Sequence, residues 1–117
     1  MCNKIVVSVV DDRCCNVIKV TVQQNNERLY YITNDRLNGK RYYTNQNYII
    51  WYMKKFKSWA IGPKNILGTY YYNIVTALNT YEPCPDKVNY WYYYTRNYTW
   101  KSGKNIIKVE CYYQFKK

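Results

Sequence analysis

Tyrosine is the residue that most restricts how this chain can fold. Seventeen of the 117 residues are Tyr, and the chain also has four Trp but only two Ala. Aromatic and β-branched side chains fit the pleated surface of a strand, whereas alanine and leucine favour helices. A tyrosine ring can be buried while its hydroxyl reaches water, so the core can be amphipathic. This composition predicts a mainly β fold.

One tight hairpin is indicated by local sequence. Residues 28–33 and 40–44 are rich in Tyr, Thr and Ile, and the pair Asn38 and Gly39 lies between them. Asn-Gly readily adopts the positive φ angles of a two-residue hairpin turn. The sequence therefore predicts two antiparallel strands joined at this dipeptide.

A second hairpin is predicted where a basic segment separates two apolar runs. Residues 48–53 and 58–61 have strand-like composition, and Lys54, Lys55 and Lys57 lie between them. Three lysines in four positions cannot be buried without partners. We expect these lysines to form the most exposed positive cluster of the chain, at the hairpin tip.

The remaining elements are short. Further strands are expected at residues 5–10, 17–22, 68–72, 88–95 and 105–115. Residues 73–80 fit either an extended segment or one short helix. Residues 82–86 contain two prolines and predict a loop, and residues 100–104 separate two strands, with the turn at the Ser102-Gly103 step. Regularly spaced short strands indicate one antiparallel sandwich or small barrel that occupies residues 1–117 as a single domain.

The chain has no histidine, which removes the commonest general base and metal ligand. Cys14 and Cys15 are adjacent and lack the spacing of a zinc knuckle, and the four glycines form no phosphate-binding loop. Asp11 and Asp12 are the only adjacent carboxylates and are expected in a solvated turn. We therefore expect a protein that is not an enzyme and has no metal and no cofactor.

Basic and aromatic residues interleave along the chain, which has a formal net charge of +11. If these segments are exposed, their basic side chains can contact phosphates and their aromatic rings can stack on bases, as in proteins that bind single-stranded nucleic acid. A tyrosine-rich core with lysines on the opposite strand face gives the same interleaving without any ligand. The candidate binding residues are Arg41, Tyr43, Lys54, Lys55, Lys57, Tyr94, Arg96 and Trp100.

Three functions are compatible with these features. The leading hypothesis is that the chain is a non-enzymatic interaction or structural protein. It would bind another protein or a larger assembly through exposed Tyr, Trp and basic residues. A nucleic-acid-binding module is the alternative, and a carbohydrate-binding module is the third reading. A cluster of exposed positive charge would favour the nucleic-acid-binding module, and a platform of exposed aromatic rings would favour the carbohydrate-binding module. Oligomeric state stays open.

The cysteines bear on the cellular compartment. Five is an odd number, and residues 5–10 are too short for the apolar core of a secretory signal. We expect Cys14, Cys15, Cys84 and Cys111 to be reduced and the protein to be intracellular, with the Asn97-Tyr98-Thr99 acceptor unglycosylated. No apolar run is long enough for a spanning helix.

Three of the tryptophans are expected in the core. Trp51, Trp59 and Trp91 each lie next to β-branched or aromatic neighbours in a strand-like segment. Replacement of one of them by Ala should then cost roughly 3–5 kcal/mol.

Overall fold

The computed structural model describes residues 14–66, 75–77, 82–94 and 99–114. Nine strands of this part of the chain pair antiparallel: β1 Val17–Val22, β2 Asn26–Leu37, β3 Lys40–Thr44, β4 Tyr48–Met53, β5 Ser58–Pro63, β6 Val75–Ala77, β7 Tyr92–Tyr94, β8 Trp100–Ser102 and β9 Ile107–Tyr113. Within the described ranges, helical geometry is confined to two 3₁₀ turns, Lys64–Ile66 and Pro85–Lys87. The curled sheet forms a half-barrel, which confirms the predicted mainly β, antiparallel fold.

The sheet follows the order of the chain except at its end. Strands β8 to β1 lie side by side in reverse sequence order, and β9 returns to pair with β1. In that pairing Val20 lies opposite Val109 and Val22 lies opposite Ile107. The three-residue strands β6, β7 and β8 form a small section at the other end of the sheet.

Two of the hairpin turns contain residues whose backbone lies in the left-handed region, with positive φ angles. Asn38 and Gly39 have φ angles of 59° and 86°, and Leu37 pairs with Lys40 on either side of them. This is the predicted two-residue turn. Between β1 and β2 the same region is occupied by Gln23 and Gln24, with φ angles of 56° and 67°. Side chains other than glycine and asparagine adopt it less readily.

Strand β4 is buried on both faces. Ile50 and Tyr52 point into the main core cluster, which also holds residues of β1, β2, β5 and β9. Alternate residues Ile49, Trp51 and Met53 form a second cluster on the opposite face, with Ala60 of β5. An apolar run without period-two alternation is typical of a strand covered on both sides.

All three tryptophans that the sequence places in the core are buried there. Trp51, Trp59 and Trp91 are 0%, 1% and 4% exposed. The indole N–H of Trp59 donates to the carbonyl oxygen of Glu82 at 2.9 Å, and that of Trp91 donates to the carbonyl oxygen of Val88 at 3.2 Å. The indole nitrogen of Trp51 is buried without a hydrogen-bond partner.

Three boundaries differ from the sequence-based expectation. The short helix considered for residues 73–80 is wrong at residues 75–77, which form β6 because Thr76 pairs with Ala60. Residues 100–102, expected to lie between two strands, form β8 and pair with β7, so the turn predicted at Ser102-Gly103 begins only at Gly103. Of the predicted strand 88–95, residues 88–91 are not in a strand and Tyr92–Tyr94 form β7, while residue 95 lies outside the described residues. The strands expected at residues 5–10 and 68–72 lie outside the described residues.

The turn after β8 depends on a glycine. The N–H of Gly103 donates to the carbonyl oxygen of Trp91 at 2.7 Å, and Ile106 and Ile107 both donate back to the carbonyl oxygen of Gly103. A Cβ atom at Gly103 would lie 2.8 Å from the Trp91 carbonyl oxygen and 2.7 Å from Cδ1 of Ile107. The turn packs against the core because this position has no side chain.

The expectation of reduced cysteines in an intracellular protein is wrong. Cys14 is bonded to Cys84, and Cys15 is bonded to Cys111. These two adjacent cysteines therefore reach partners in different parts of the fold: Cys84 lies just before the second 3₁₀ turn, and Cys111 lies in β9. Disulfides persist in oxidising compartments such as the extracellular space, and the pair points to one. The fifth cysteine, Cys2, and the acceptor at Asn97 lie outside the described residues.

Candidate interaction surface

The tips of the two predicted hairpins lie side by side at one end of the sheet. The side-chain amide of Asn38, in the β2–β3 turn, donates to the carbonyl oxygen of Tyr52 at 2.8 Å. The ammonium of Lys40 lies 4.9 Å from the centre of the Tyr52 ring. These contacts cross from one hairpin to the other and fix their relative position.

The β4–β5 tip exposes its lysines as predicted. Lys54, Lys55 and Lys57 are all exposed, between the paired residues Met53 and Ser58. The N–H of Lys57 donates to the carbonyl oxygen of Lys54 at 3.3 Å, and Lys57 has a φ angle of 51°. The loop is therefore a turn of defined shape that holds three ammonium groups outside the sheet.

We call the positive residues of the two tips the basic tip. It consists of Arg36 and Lys40 from the first hairpin and of Lys54, Lys55 and Lys57 from the second. The guanidinium of Arg36 donates to the carbonyl oxygen of Gly39 at 3.2 Å. Asp35 is the one acidic residue in residues 33–41 and 53–58, so this end of the sheet has a strong excess of positive charge.

Two other candidate residues have structural contacts instead. Arg41 is half-buried and donates to the carbonyl oxygen of Thr33 at 2.8 Å and to Oδ1 of Asn34 at 3.3 Å. These bonds lie beside the irregularity in β2 where its register to β3 shifts. Tyr43 is 0% exposed, and its hydroxyl donates to the carbonyl oxygen of Cys15 at 2.6 Å. Burial raises the pKa of the Tyr43 hydroxyl, and the nearby carboxylate of Asp86 adds to that rise. Tyr43 therefore belongs to the core.

The remaining candidates are only partly described. Tyr94 of β7 and Trp100 of β8 are directly opposite each other in the sheet. Their side chains and the whole of Arg96 lie outside the described residues.

Tyrosine, not tryptophan, provides the large exposed rings of the described residues. These rings belong to Tyr31, Tyr90, Tyr92, Tyr112 and Tyr113. Trp51, Trp59 and Trp91 are buried, as the sequence predicts, and the side chain of the candidate contact Trp100 lies outside the described residues.

Register places two of the exposed tyrosines on one face. Tyr31 of β2 and Tyr113 of β9 both lie opposite Val17 of the strand between them. Directly opposed residues of an antiparallel pair share a face. This is the outer face of the sheet, because Ile18 and Tyr30 point into the main core. Sequence reasoning missed this grouping because β9 is distant from β2 in the chain.

The described residues have no arrangement suited to a bound metal. No group of three or more Cys, Asp, Glu or His residues lies together in that part of the chain. No helix of the described ranges is long and apolar enough to cross a membrane.

Comparison with known proteins gives no relative: no family model, no curated protein and no solved structure matches this chain.

Proposed function

We propose that the chain is a non-catalytic binding domain of an oxidising compartment that holds an acidic surface of another protein through the basic tip. The observation that carries this proposal is the fixed juxtaposition of two hairpins whose ends have five positive residues. A cluster of exposed positive charge attracts anionic partners and accelerates their association.

The geometry of the tip favours a protein over a single-stranded nucleic acid. Binding of single strands combines cations with open aromatic faces on which bases stack. At the tip, the Tyr52 ring is 9% exposed and has the Lys40 ammonium against it, and the Lys55 ammonium lies 5.7 Å from the Phe56 ring centre. These faces are occupied by lysine side chains, so the tip offers charge without a stacking platform.

The proposal is tested with two probes of known charge. Poly-glutamate represents an acidic protein surface, and a single-stranded oligonucleotide of equal charge represents the alternative. We expect poly-glutamate to bind the folded domain with an affinity that decreases with added salt. Preferential binding of the oligonucleotide at every salt concentration would favour the nucleic-acid alternative.

A charge-matched pair of variants locates the site. Replacement of Lys54, Lys55 and Lys57 by Gln should weaken poly-glutamate binding by up to about a hundredfold, at up to about 1 kcal/mol for each exposed pair. The control replaces the exposed lysines Lys64, Lys101 and Lys104 by Gln and has the same net charge. Equal losses in the two variants would show that total charge, not the basic tip, attracts the partner.

A further inference from the structure

A groove on the outer face of the sheet is lined by equal numbers of positive and negative side chains, unlike the basic tip. It has a volume of about 550 Å³ and lies over β2, β1 and β9, beside the β1–β2 turn. Small-molecule sites in proteins have volumes of about 300–1,000 Å³. The strand register builds the groove from two adjacent rows: Lys19 lies between Leu29 and Glu110, and Thr21 lies between Glu27 and Lys108.

The groove is electrically balanced within a strongly basic protein. Its lining includes two cations, Lys19 and Lys108, and two anions, Glu27 and Glu110. Two of the chain's seven acidic residues are therefore in this groove. An anionic ligand would meet the two carboxylates and a cationic ligand the two ammonium groups, so the groove suits a neutral ligand.

The charged groups of the groove keep capacity for hydrogen bonds to a ligand. The Lys19 ammonium nitrogen is 3.9 Å from the nearest carboxylate oxygen of Glu27 and 3.8 Å from that of Glu110. Lys108 is 3.9 Å from Glu110. These separations are longer than a direct hydrogen bond, so the pairs attract each other and still have donors and acceptors for a third partner. Ligand hydroxyl groups can accept from the ammonium groups and donate to the carboxylates.

An exposed ring stands beside the groove. Tyr112 is 58% exposed, and the Lys19 ammonium is 5.8 Å from the centre of its ring. Tyr113 pairs with Val17 and Cys111 pairs with Ile18, so Tyr112 is the extra residue of a bulge in β9. A bulge re-aims a side chain relative to the regular alternation of the strand.

We propose that this groove binds a short neutral oligosaccharide. A sugar ring has an apolar face that packs on an aromatic ring, and it has hydroxyl groups around its edge that both donate and accept. Tyr112 supplies the aromatic surface, and Lys19, Glu27 and Glu110 supply the donors and acceptors. This site is separate from the basic tip and does not depend on the function proposed for it.

The first test measures binding to an array that contains both neutral and sulfated oligosaccharides. We expect the folded, disulfide-bonded domain to bind a neutral glycan with an affinity that is insensitive to salt. Tyr112→Ala should weaken that binding by about tenfold or more, as loss of an aromatic contact does, and Tyr112→Phe should retain it. Glu110→Gln should also weaken it, because the amide is neutral and has one acceptor oxygen, whereas the carboxylate has two charged ones.

Two controls separate this site from other surfaces. Tyr90→Ala removes a ring that is 75% exposed and lines a different pocket, with Trp91 and Gly103, so it should leave glycan binding unchanged. The Lys54, Lys55 and Lys57 triple variant should also leave it unchanged. The proposal is overturned if no neutral glycan binds at millimolar concentration, if only sulfated glycans bind, or if folded Tyr112→Ala and Glu110→Gln variants both bind as the parent does.

Discussion

At the residue scale, the two most buried tryptophans differ in whether the indole nitrogen has a hydrogen-bond partner. Trp59 donates its indole N–H to Glu82, whereas the indole nitrogen of Trp51 is buried without a partner. An unpaired buried donor costs free energy because it has lost its hydrogen bond to water. Similar rings with similar burial should therefore respond differently to the same substitution.

We predict that Trp51→Phe destabilises the protein less than Trp59→Phe does. Both variants lose similar apolar volume, but only Trp59→Phe also breaks a hydrogen bond, which adds about 1 kcal/mol. Urea unfolding of the two variants under identical conditions measures the difference. A larger loss of unfolding free energy in Trp51→Phe would show that its indole nitrogen makes a stabilising contact.

Two buried tyrosines should make the fold sensitive to alkali. Burial raises the pKa of Tyr30 to about 12 and raises that of Tyr43 further. The unfolded chain begins to lose these protons near pH 10, before the folded protein does. The stabilising effect is therefore complete below about pH 10 and is lost as pH rises through the folded-state pKa values.

We expect the unfolding free energy to decline above about pH 10, by about 1.4 kcal/mol per pH unit for each of the two tyrosines. Urea unfolding at neutral pH and at about pH 11, with phenolate absorbance recorded in parallel, measures this decline. Tyr43→Phe should be less stable at neutral pH, because the Cys15 carbonyl oxygen loses its donor, yet should show a shallower decline. An unfolding free energy that is constant across this range would contradict the prediction.

At the element scale, the sequence predicted hairpins whose turns are local and missed strands that depend on distant partners. Asn38 and Gly39 encode their turn directly, and the three lysines between β4 and β5 require an exposed loop. Thr76 is extended because it pairs with Ala60, and residues 100–102 are extended because they pair with β7. Their own side chains do not distinguish strand from turn or helix. Only tertiary pairing decides such segments.

The disulfides were missed for a related reason. Adjacent Cys14 and Cys15 are bonded to residues 70 and 96 positions away, and no local pattern encodes those distances. Of the candidate site, the exposure of Lys54, Lys55 and Lys57 was predictable. Their proximity to Lys40 and the position of Tyr112 beside Lys19 were not, because both depend on strand register.

Each disulfide should stabilise the fold by a similar amount but protect different regions. Loop-closure entropy gives about 4 kcal/mol for each, since the cost varies only with the logarithm of loop length. Cys15–Cys111 joins β9 to the residues just before its paired strand β1, whereas Cys14–Cys84 holds a loop that has no strand partner. That loop region includes core residues Val88 and Trp91.

We therefore predict that the Cys14→Ala/Cys84→Ala variant loses amide protection in residues 82–91, while the Cys15→Ala/Cys111→Ala variant retains it there. Hydrogen exchange on both variants, with intact mass to confirm the remaining disulfide, tests this difference. Equal protection of residues 82–91 in the two variants would mean that packing alone holds the loop in place.

At the scale of the whole molecule, charge is distributed unevenly. Among the described residues, five positive side chains lie at the two hairpin tips with one acidic residue beside them, whereas the groove over β1 balances two cations with two anions. Net charge alone would suggest one anionic partner. The arrangement supports two separate surfaces of different chemistry.

The Cys15–Cys111 bond also determines how the molecule would respond to being pulled. Tension applied to the chain before residue 15 and after residue 111 passes through this covalent bond, and the intervening strands are bypassed. Handles attached at those two sides should show no unfolding step while the disulfide is intact. After reduction of both disulfides, unfolding of the chain between Cys15 and Cys111, which are 96 positions apart, should lengthen the molecule by about 330 Å, at about 3.4 Å per residue. While its disulfides are intact, the domain should therefore not lengthen under tension, and its surfaces should keep their shape.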